Sequence, residues 1–343
     1  MATMNDVARV ANVSIATVSH VINGTRFVSA ERVERVQAAM KELGYTPDAT
    51  ARSLRVGRTD TIGLVIPDNS NPFFAALARY IAEAGFEAGY TTILANSNER
   101  PDREHRYVAT LVSKRVDGLI LSPSRGDHST LSRLLQNARI PVVVVDREAE
   151  LPDADFVLYD NAGGSYEATR YLLDIGHTSI GCVAGPADAT SATERVAGFR
   201  RALAEAGITL PDHAVVEADF HFNGGREATA RLLEGGERFT ALFAANDLMA
   251  AGVIRELGDR GIDVPQDMSV IGFDDAPLAE MISPSLTTMR QPLHDMAHAA
   301  VSMLLSRVSS GDGGAPVRKV LPVSLVVRES TAPPPRRRRA RKA

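Results

Sequence analysis

Pro47-Asp48-Ala49-Thr50-Ala51-Arg52-Ser53-Leu54-Arg55-Val56-Gly57-Arg58-Thr59 separates two kinds of sequence. Before it stands a short, mildly basic block with helical periodicity; after it runs a long acidic chain of alternating strand and helix patterns. Asp48 is a good N-cap, Ala49 to Leu54 favour helix, and Gly57 is a good stop. A helix of about two turns is marginal alone in water. The residues leave two readings open. Either Leu54 packs a linker helix onto a neighbour, or the segment folds only when its arginines meet phosphates and Leu54 meets an opened base step.

The chain has 343 residues, 44% hydrophobic and 5% aromatic, the balance of an α/β protein with an aliphatic core and room for two or three domains. No apolar run reaches the ~18 residues that span a membrane. The first residues, Met1 to Asp6, lack a basic-then-apolar secretory pattern, and Cys182 is the only cysteine. These features predict a cytoplasmic protein with no membrane partner, no disulfide and no cysteine-based metal site. The net charge of −4 is unevenly spread. Residues 1–58 carry eight Lys/Arg and five Asp/Glu, a net +3, and residues 331–343 carry six Lys/Arg and no acid. A basic head and tail on an acidic body point to an anionic partner at the ends.

In the head, Thr3 followed by Asp6 reads as a capped helix start, with Val7, Val10 and Ala11 as its apolar stripe. Ala11-Asn12-Val13-Ser14 makes a turn. Ser14 caps a second helix that buries Val18, Val21 and Ile22 and points Ile15, Ala16, Thr17, Ser19 and His20 outward. A third helix begins at Ser29, with Val33, Val36, Met40 and Leu43 inward. Two short helices about a tight turn, braced by a third, form a helix-turn-helix whose second helix would enter a major groove. Small side chains allow close approach, His20 can donate to a base edge, and Ile15 and Ala16 can touch thymine methyls. Spacing and charge alone also allow a helical module that binds protein.

Thr3-Met4-Asn5-Asp6-Val7-Ala8, Val13 to Asn23, and Tyr45-Thr46-Pro47 followed by Ala51-Arg52-Ser53-Leu54 closely resemble the head and hinge of the lactose/galactose repressor (LacI/GalR) family. The resemblance implies operator DNA as a partner, a major-groove face of Ile15, Ala16, Thr17 and His20 with Arg26 nearby, and a minor-groove wedge at Leu54. The full DNA-contacting set expected is Thr3, Ser14, Ile15, Ala16, Thr17, Ser19, His20, Asn23, Arg26, Arg52, Leu54 and Arg55.

Beyond Thr59, short apolar runs at 61–66, 90–95, 118–121, 141–145, 156–159, 180–184, 214–217, 241–244 and 269–273 alternate with helical stretches. Repeated β-α-β units predict parallel sheets covered on both faces, and about ten strands over some 270 residues are too many for one core. The expected architecture is α/β: the three-helix head (1–46), a hinge and linker (47–59), and a core of two doubly wound lobes (60–330), which the family resemblance implies is periplasmic-binding-protein-like. The resemblance implies an N-lobe of about 60–160 and 291–320 and a C-lobe of about 161–290 and 321–330. Residues 331–343 form a disordered basic tail.

Ligands of such sheets bind beyond the carboxyl ends of the strands. There stand Asn71, Phe73 and Phe74, then Asp146-Arg147, Arg195, Phe220, Asn246, Asp274 and Gln291. Planar hydrogen-bonding groups between aromatic rings suit a hydroxyl-rich ligand. The same stretches resemble the ligand cleft of pentose-binding members of the family and of periplasmic ribose-type binding proteins. The resemblance makes Phe73, Phe74 and Phe220 the stacking walls and the polar residues the hydroxyl-binding groups. It implies a sugar effector, with a purine as runner-up, and a homodimer, since Pro333-Pro334-Pro335 and arginines replace the apolar heptads of tetrameric relatives. A sugar-binding transport protein is the rival class.

His294-Asp295-Met296-Ala297-His298 imitates a zinc-protease motif but lacks the glutamate and a third ligand, and reads as helix surface. Gly163-Gly164 and Gly224-Gly225 are not followed by Lys-Ser/Thr, and no nucleophile elbow occurs. The sequence therefore predicts no enzyme, no catalytic residue, no metal and no cofactor.

Overall fold

The structure is a computed structural model describing residues 2–24, 26–46, 57–310 and 314–335. The chain divides into two compact units, Met1–Thr59 and Asp60–Ala343. The expected hinge helix, with Arg52, Leu54 and Arg55, lies outside the described residues, as does the basic run Arg336–Lys342.

In the first unit, α1 (Met4–Ala11) opens with a reciprocal capping box between Thr3 and Asp6. Hydrogen bonds from Thr3 and Arg9 pull the Asp6 carboxyl down to about 2. Asn12 takes a left-handed conformation, φ 51°, and turns the chain into α2 (Ile15–Asn23), capped by Ser14 Oγ accepting from the Thr17 N–H at 3.1 Å. Gly24 stops α2 at φ 63°, and α3 (Ala30–Glu42) braces the pair. Val7, Ala8, Ala11, Val18, Val36 and Ala39 form the core. Val10 is 39% exposed and Ala8 takes its expected place inside, because the buried arc of this short helix is centred between Val7 and Ala8. Val33, Met40 and Leu43 are half-buried at the rim.

The second unit holds two six-stranded sheets, each covered by helices. In chain order its elements are β1 (Thr61–Ile66), α4 (Pro72–Glu87), β2 (Thr91–Asn96), α5 (Pro101–Ser113), β3 (Gly118–Leu121), α6 (Ser129–Ala138), β4 (Val142–Val145), β5 (Asp155–Tyr159) and α7 (Asn161–Asp174). Then come β6 (Ile180–Ala184), α8 (Thr190–Glu205), β7 (Val215–Glu217), α9 (Phe222–Glu234), β8 (Ala241–Ala244), α10 (Asp247–Asp259) and β9 (Ser269–Asp274). The last are α11 (Leu278–Met281), β10 (Thr287–Arg290), α12 (Leu293–Ser310), β11 (Arg318–Leu321) and β12 (Ser324–Val326). One sheet runs β11-β5-β4-β3-β1-β2, all parallel; the other runs β12-β10-β9-β8-β6-β7 with only β12 antiparallel. The sequence-based α/β class, with two doubly wound lobes, holds.

The strands are short aliphatic runs such as Val142–Val145, buried at every position because helices cover both faces. The chain passes between the sheets three times: from β5 to α7, from β10 to α12, and from β11 to β12. These crossings lie together, since the Asp160 N–H donates to the Leu321 carbonyl at 3.0 Å and Arg290 pairs with Ser324.

Thr331 and Ala332 belong to the tail in the sequence-based division, yet both are held on the C-lobe. The buried His177 binds the Ala332 carbonyl through Nε2 at 2.9 Å and the Thr240 hydroxyl through Nδ1 at 2.9 Å. Thr331 Oγ1 meets Thr287 Oγ1 at 2.9 Å and the Tyr171 hydroxyl at 3.0 Å.

The two helices that carry Asn161 and Arg195 touch backbone to backbone. A Cβ at Gly198 would stand 2.1 Å from the Ala162 carbonyl oxygen and 2.2 Å from Ser165 Oγ. Gly198→Ala must therefore push α8 off α7. We expect a loss of about 1–3 kcal/mol, seen as a Tm lower by several degrees in thermal unfolding. An unchanged Tm would show that α8 can move away at no cost.

Candidate functional site

The carboxyl ends of the strands in both lobes face one cleft. From the N-lobe, β1 leads to Asn71, whose Oδ1 caps α4 by accepting from the Phe73 N–H at 3.0 Å and so fixes Phe73 and Phe74 at the first helical turn. Their rings meet edge to face at 5.1 Å between centroids. After β4 comes Asp146, held at φ 68°, followed by Arg147, whose Nη1 binds Glu99 Oε1 at 2.8 Å. The Arg147 guanidinium lies 5.4 Å from the Phe74 ring centre and 5.9 Å from that of Phe220.

From the C-lobe, Arg195 enters from α8. It donates from Nε to Asn161 Oδ1 at 2.9 Å and from Nη1 to the Ala245 carbonyl at 2.6 Å, pairs with Asp274 at 3.5 Å, and places its guanidinium carbon 3.9 Å from the Phe273 ring centre. Gln291, at a crossing between the lobes, donates to Asp274 Oδ1 at 2.6 Å. Asn246 caps α10 by accepting from the Met249 N–H at 2.9 Å and donates to the Phe220 carbonyl at 3.1 Å. Phe220 sits at φ 68° with its ring against Gly185, where a Cβ would come within 2.3 Å of Phe220 Cζ. All ten residues expected to line the cleft are buried; these contacts join Asn71, Phe73, Phe74, Arg147, Phe220 and Asn246 into one group that reaches across both lobes, and Arg195, Asp274 and Gln291 into another. Asn71 and Asn246 have their carbonyl oxygens committed to helix caps.

Sequence reasoning passed over Glu99, Tyr159 and Asn161. Each stands within three residues of the end of β2 or β5, so the strand-end rule applied to those two strands would have marked them. The mouth is bridged as well: Arg125 Nη1 meets Asp188 Oδ1 at 3.1 Å, and the Glu148 N–H donates to Thr190 Oγ1 at 3.2 Å. Asp146, Phe220, Asp274 and Asp275 all hold positive φ, between 56° and 127°. Non-glycine residues in that region carry strain of order 1–3 kcal/mol each, which concentrates at binding sites.

The cleft is short of positive charge. Burial raises the Asp146 carboxyl, opposed by Arg147 and Arg195. Burial also pushes Asp274 up to about 7 against the pull of Arg195. Behind it, buried Asp247 is raised well above the carboxylate range, although Thr288 Oγ1 donates to it at 2.6 Å and the Ala276 N–H at 2.8 Å. Arg195 is lowered by the same loss of water.

On the head, Ser14, Ile15 and Ala16 at the start of α2 are exposed, Ile15 by 50%, while Thr17, Ser19 and His20 are half-buried. Thr3 is tied into its capping box, and the Asn23 amide donates to the Ser19 carbonyl at 2.5 Å. Arg26 is exposed, and Phe27, which no sequence pattern marks, is 97% exposed beside it. His294 and His298 lie on the surface of α12 with rings 4.3 Å apart, and among the described residues no three potential ligands gather to hold a metal. No helix among them is long and apolar enough to cross a membrane.

A helix-turn-helix head followed by a two-lobed core with a polar, aromatic-walled cleft defines a ligand-responsive DNA-binding regulator. Residues 3–48 match the bacterial regulatory proteins of the lacI family, and residues 169–331 match the periplasmic binding protein-like domain. The ribose operon repressor of Escherichia coli strain K12 is 42% identical over 309 residues, 90% of this chain and 94% of that one. The lac repressor dimer bound to operator and an anti-inducer superposes with a TM-score of 0.85 at 30% identity, covering 96% of this chain and 99% of the other. A LacI-family regulator from Enterococcus faecium with bound ribose gives 0.71 at 33% identity over 80% of this chain and 99% of its own. The chain belongs to the lacI family of bacterial regulatory proteins and is a transcription regulator.

The Asp274 carboxyl supplies a pH test. Its folded pKa is raised above the unfolded value, so the proton it retains favours the folded core at low pH, and that contribution fades as pH rises from about 4 to 7. A ligand hydroxyl that donates to Asp274 needs the ionised form. Affinity for a hydroxylated ligand should therefore rise up to tenfold per pH unit below 7 and level off above. Calorimetry between pH 5.5 and 8 reads this; Asp274→Asn should weaken binding and flatten the profile, and a flat wild-type profile would separate Asp274 from the ligand.

Proposed function

We propose that the chain is a repressor that binds a pseudo-palindromic operator as a homodimer and is controlled by a pentose such as ribose in the interlobe cleft. The observation that carries this is the cleft itself: Asp146 and Arg147 from one lobe, Arg195 and Asp274 from the other, and Gln291 at a crossing, all buried between Phe73, Phe74 and Phe220. Carboxylates and guanidiniums take vicinal hydroxyls two at a time, and aromatic faces cover the C–H surface of a sugar ring. The ribose held by the E. faecium relative and the name of the E. coli relative support the same ligand class.

The expected role of each residue follows. Asp146 and Asp274 accept from sugar hydroxyls, Arg147, Arg195 and Asn246 donate to them, Gln291 does either, and the three phenylalanines enclose the ring. A ligand that joins groups of both lobes binds best when the lobes are closed. It shifts the equilibrium by its differential affinity for the two arrangements, about 1.4 kcal/mol for each tenfold. The segment 47–59 is proposed to carry that shift to the heads, with Ile15, Ala16, Thr17 and His20 reading the major groove and Leu54 the minor groove. Ser14 and Thr3, committed to caps, position the reading helix on phosphates.

Gel shift with the purified full chain and a palindrome from upstream of its own gene tests the proposal. The fragment should be retarded, and D-ribose should change the midpoint at least tenfold while adenine and hypoxanthine leave it fixed. No retardation under any condition removes the operator reading; a response to the nucleobases alone replaces the effector.

A further inference from the structure

Tyr159 is the last residue of β5, so its side chain stands at the carboxyl end of the N-lobe sheet, at the first crossing between the lobes. It is 2% exposed, and its ring packs edge to face on Phe73 with centroids 6.4 Å apart. Its hydroxyl makes no hydrogen bond among the described residues. Two other buried atoms of the cleft make no hydrogen bond: Gln291 Oε1, and Arg147 Nε, which lies 3.7 Å from Asp146 Oδ2 in an ion pair. Buried polar atoms are nearly always paired in folded proteins, and a group of orphans in one cleft marks where a ligand's polar atoms go. The three come from the end of β4, the end of β5 and the crossing after β10, so they converge from separate parts of the chain.

The charges acting on the phenol come first from Asp146 and Asp274, then from Arg195 and Asp295. Burial and the two cleft carboxylates hold its proton well above the usual range for tyrosine, so it is a donor at every pH at which the protein is handled. A group lying between a phenolic donor and an ionised carboxylate has to accept from one and donate to the other. A hydroxyl does both, whereas a carbonyl or an unprotonated ring nitrogen only accepts.

Resting on the pentose reading above, we propose that Tyr159 is a specificity-determining residue: its phenol donates to one hydroxyl of the bound pentose, and that hydroxyl donates onward to a cleft carboxylate. Tyr159 then selects for the presence of that hydroxyl, because an analogue lacking it leaves the phenol buried and unpaired.

Calorimetry of the full chain and of Tyr159→Phe with D-ribose and its 2-, 3- and 5-deoxy analogues tests the assignment. Wild type should bind ribose at least tenfold more tightly than one of the analogues. Tyr159→Phe should lose about tenfold for ribose and nothing for that same analogue, with an unchanged or higher ligand-free Tm. Equal affinity of the two proteins for ribose, or an equal loss across ribose and every analogue, overturns it. A wild type that binds no pentose fells the effector reading first and this assignment with it, a result distinct from tight ribose binding indifferent to the substitution. A second readout needs no variant: the chain has seven tyrosines and no tryptophan. Donation by a buried phenol should give a red-shifted tyrosine difference spectrum on adding ribose, and a flat spectrum at saturating ribose counts against it.

Discussion

Three carboxylates and two guanidiniums, Asp146, Asp247, Asp274, Arg147 and Arg195, are buried where the strands of two lobes end. Ionised groups taken out of water are costly unless paired, and here the acids outnumber the bases. Glu99, which holds Arg147, deepens the imbalance. The protein answers in three ways: helix and strand ends aim N–H groups at the acids, Arg195 is shared among Asn161, the Ala245 carbonyl and Asp274, and Asp274 retains its proton to about pH 7. An excess of buried acids over bases suits a neutral ligand better than an anionic one. A neutral ligand can pair with buried polar groups without adding charge.

The same economy appears in the head. The polar residues at the ends of α2 that a DNA reader could use are partly spent on the helix itself. Ser14 and Thr17 bind one another, and the Asn23 amide folds back on Ser19. What remains exposed at the start of the helix is small and apolar, Ile15 and Ala16. This shape favours close approach and methyl contacts over a wide choice of hydrogen bonds.

The architecture was legible because each lobe repeats one simple signal, a short aliphatic run followed by a polar turn and an amphipathic helix. Asp146 and Asp274 stand at or just past the ends of β4 and β9, where the strand-end rule looks, whereas Arg195 sits in the second turn of α8, eleven residues beyond β6. Less legible were groups whose purpose lies in a distant partner. Asn161 matters through Arg195, and Glu99 through Arg147, and neither pairing has a local pattern. The edge strands β11 and β12 escaped the pattern for a different reason. Exposed or half-buried at nearly every position, they lack the apolar run that marks an interior strand. Thr331 and Ala332 follow a similar logic: their order comes from the buried His177, more than a hundred residues earlier.

The three neighbouring crossings have a mechanical consequence. Joined side by side at Asp160–Leu321 and Arg290–Ser324, they are placed to serve as an axle, about which a turn of one lobe would strain these pairings less than a slide. Points near the axle, such as Gln291, barely travel. Asp60 stands at the opposite end of β1, about 20 Å of strand away, and has a long lever arm. A swing on the order of 10° would carry it about 3 Å. A small ligand that set this angle from inside the cleft would gain leverage over a chain entrance it never touches.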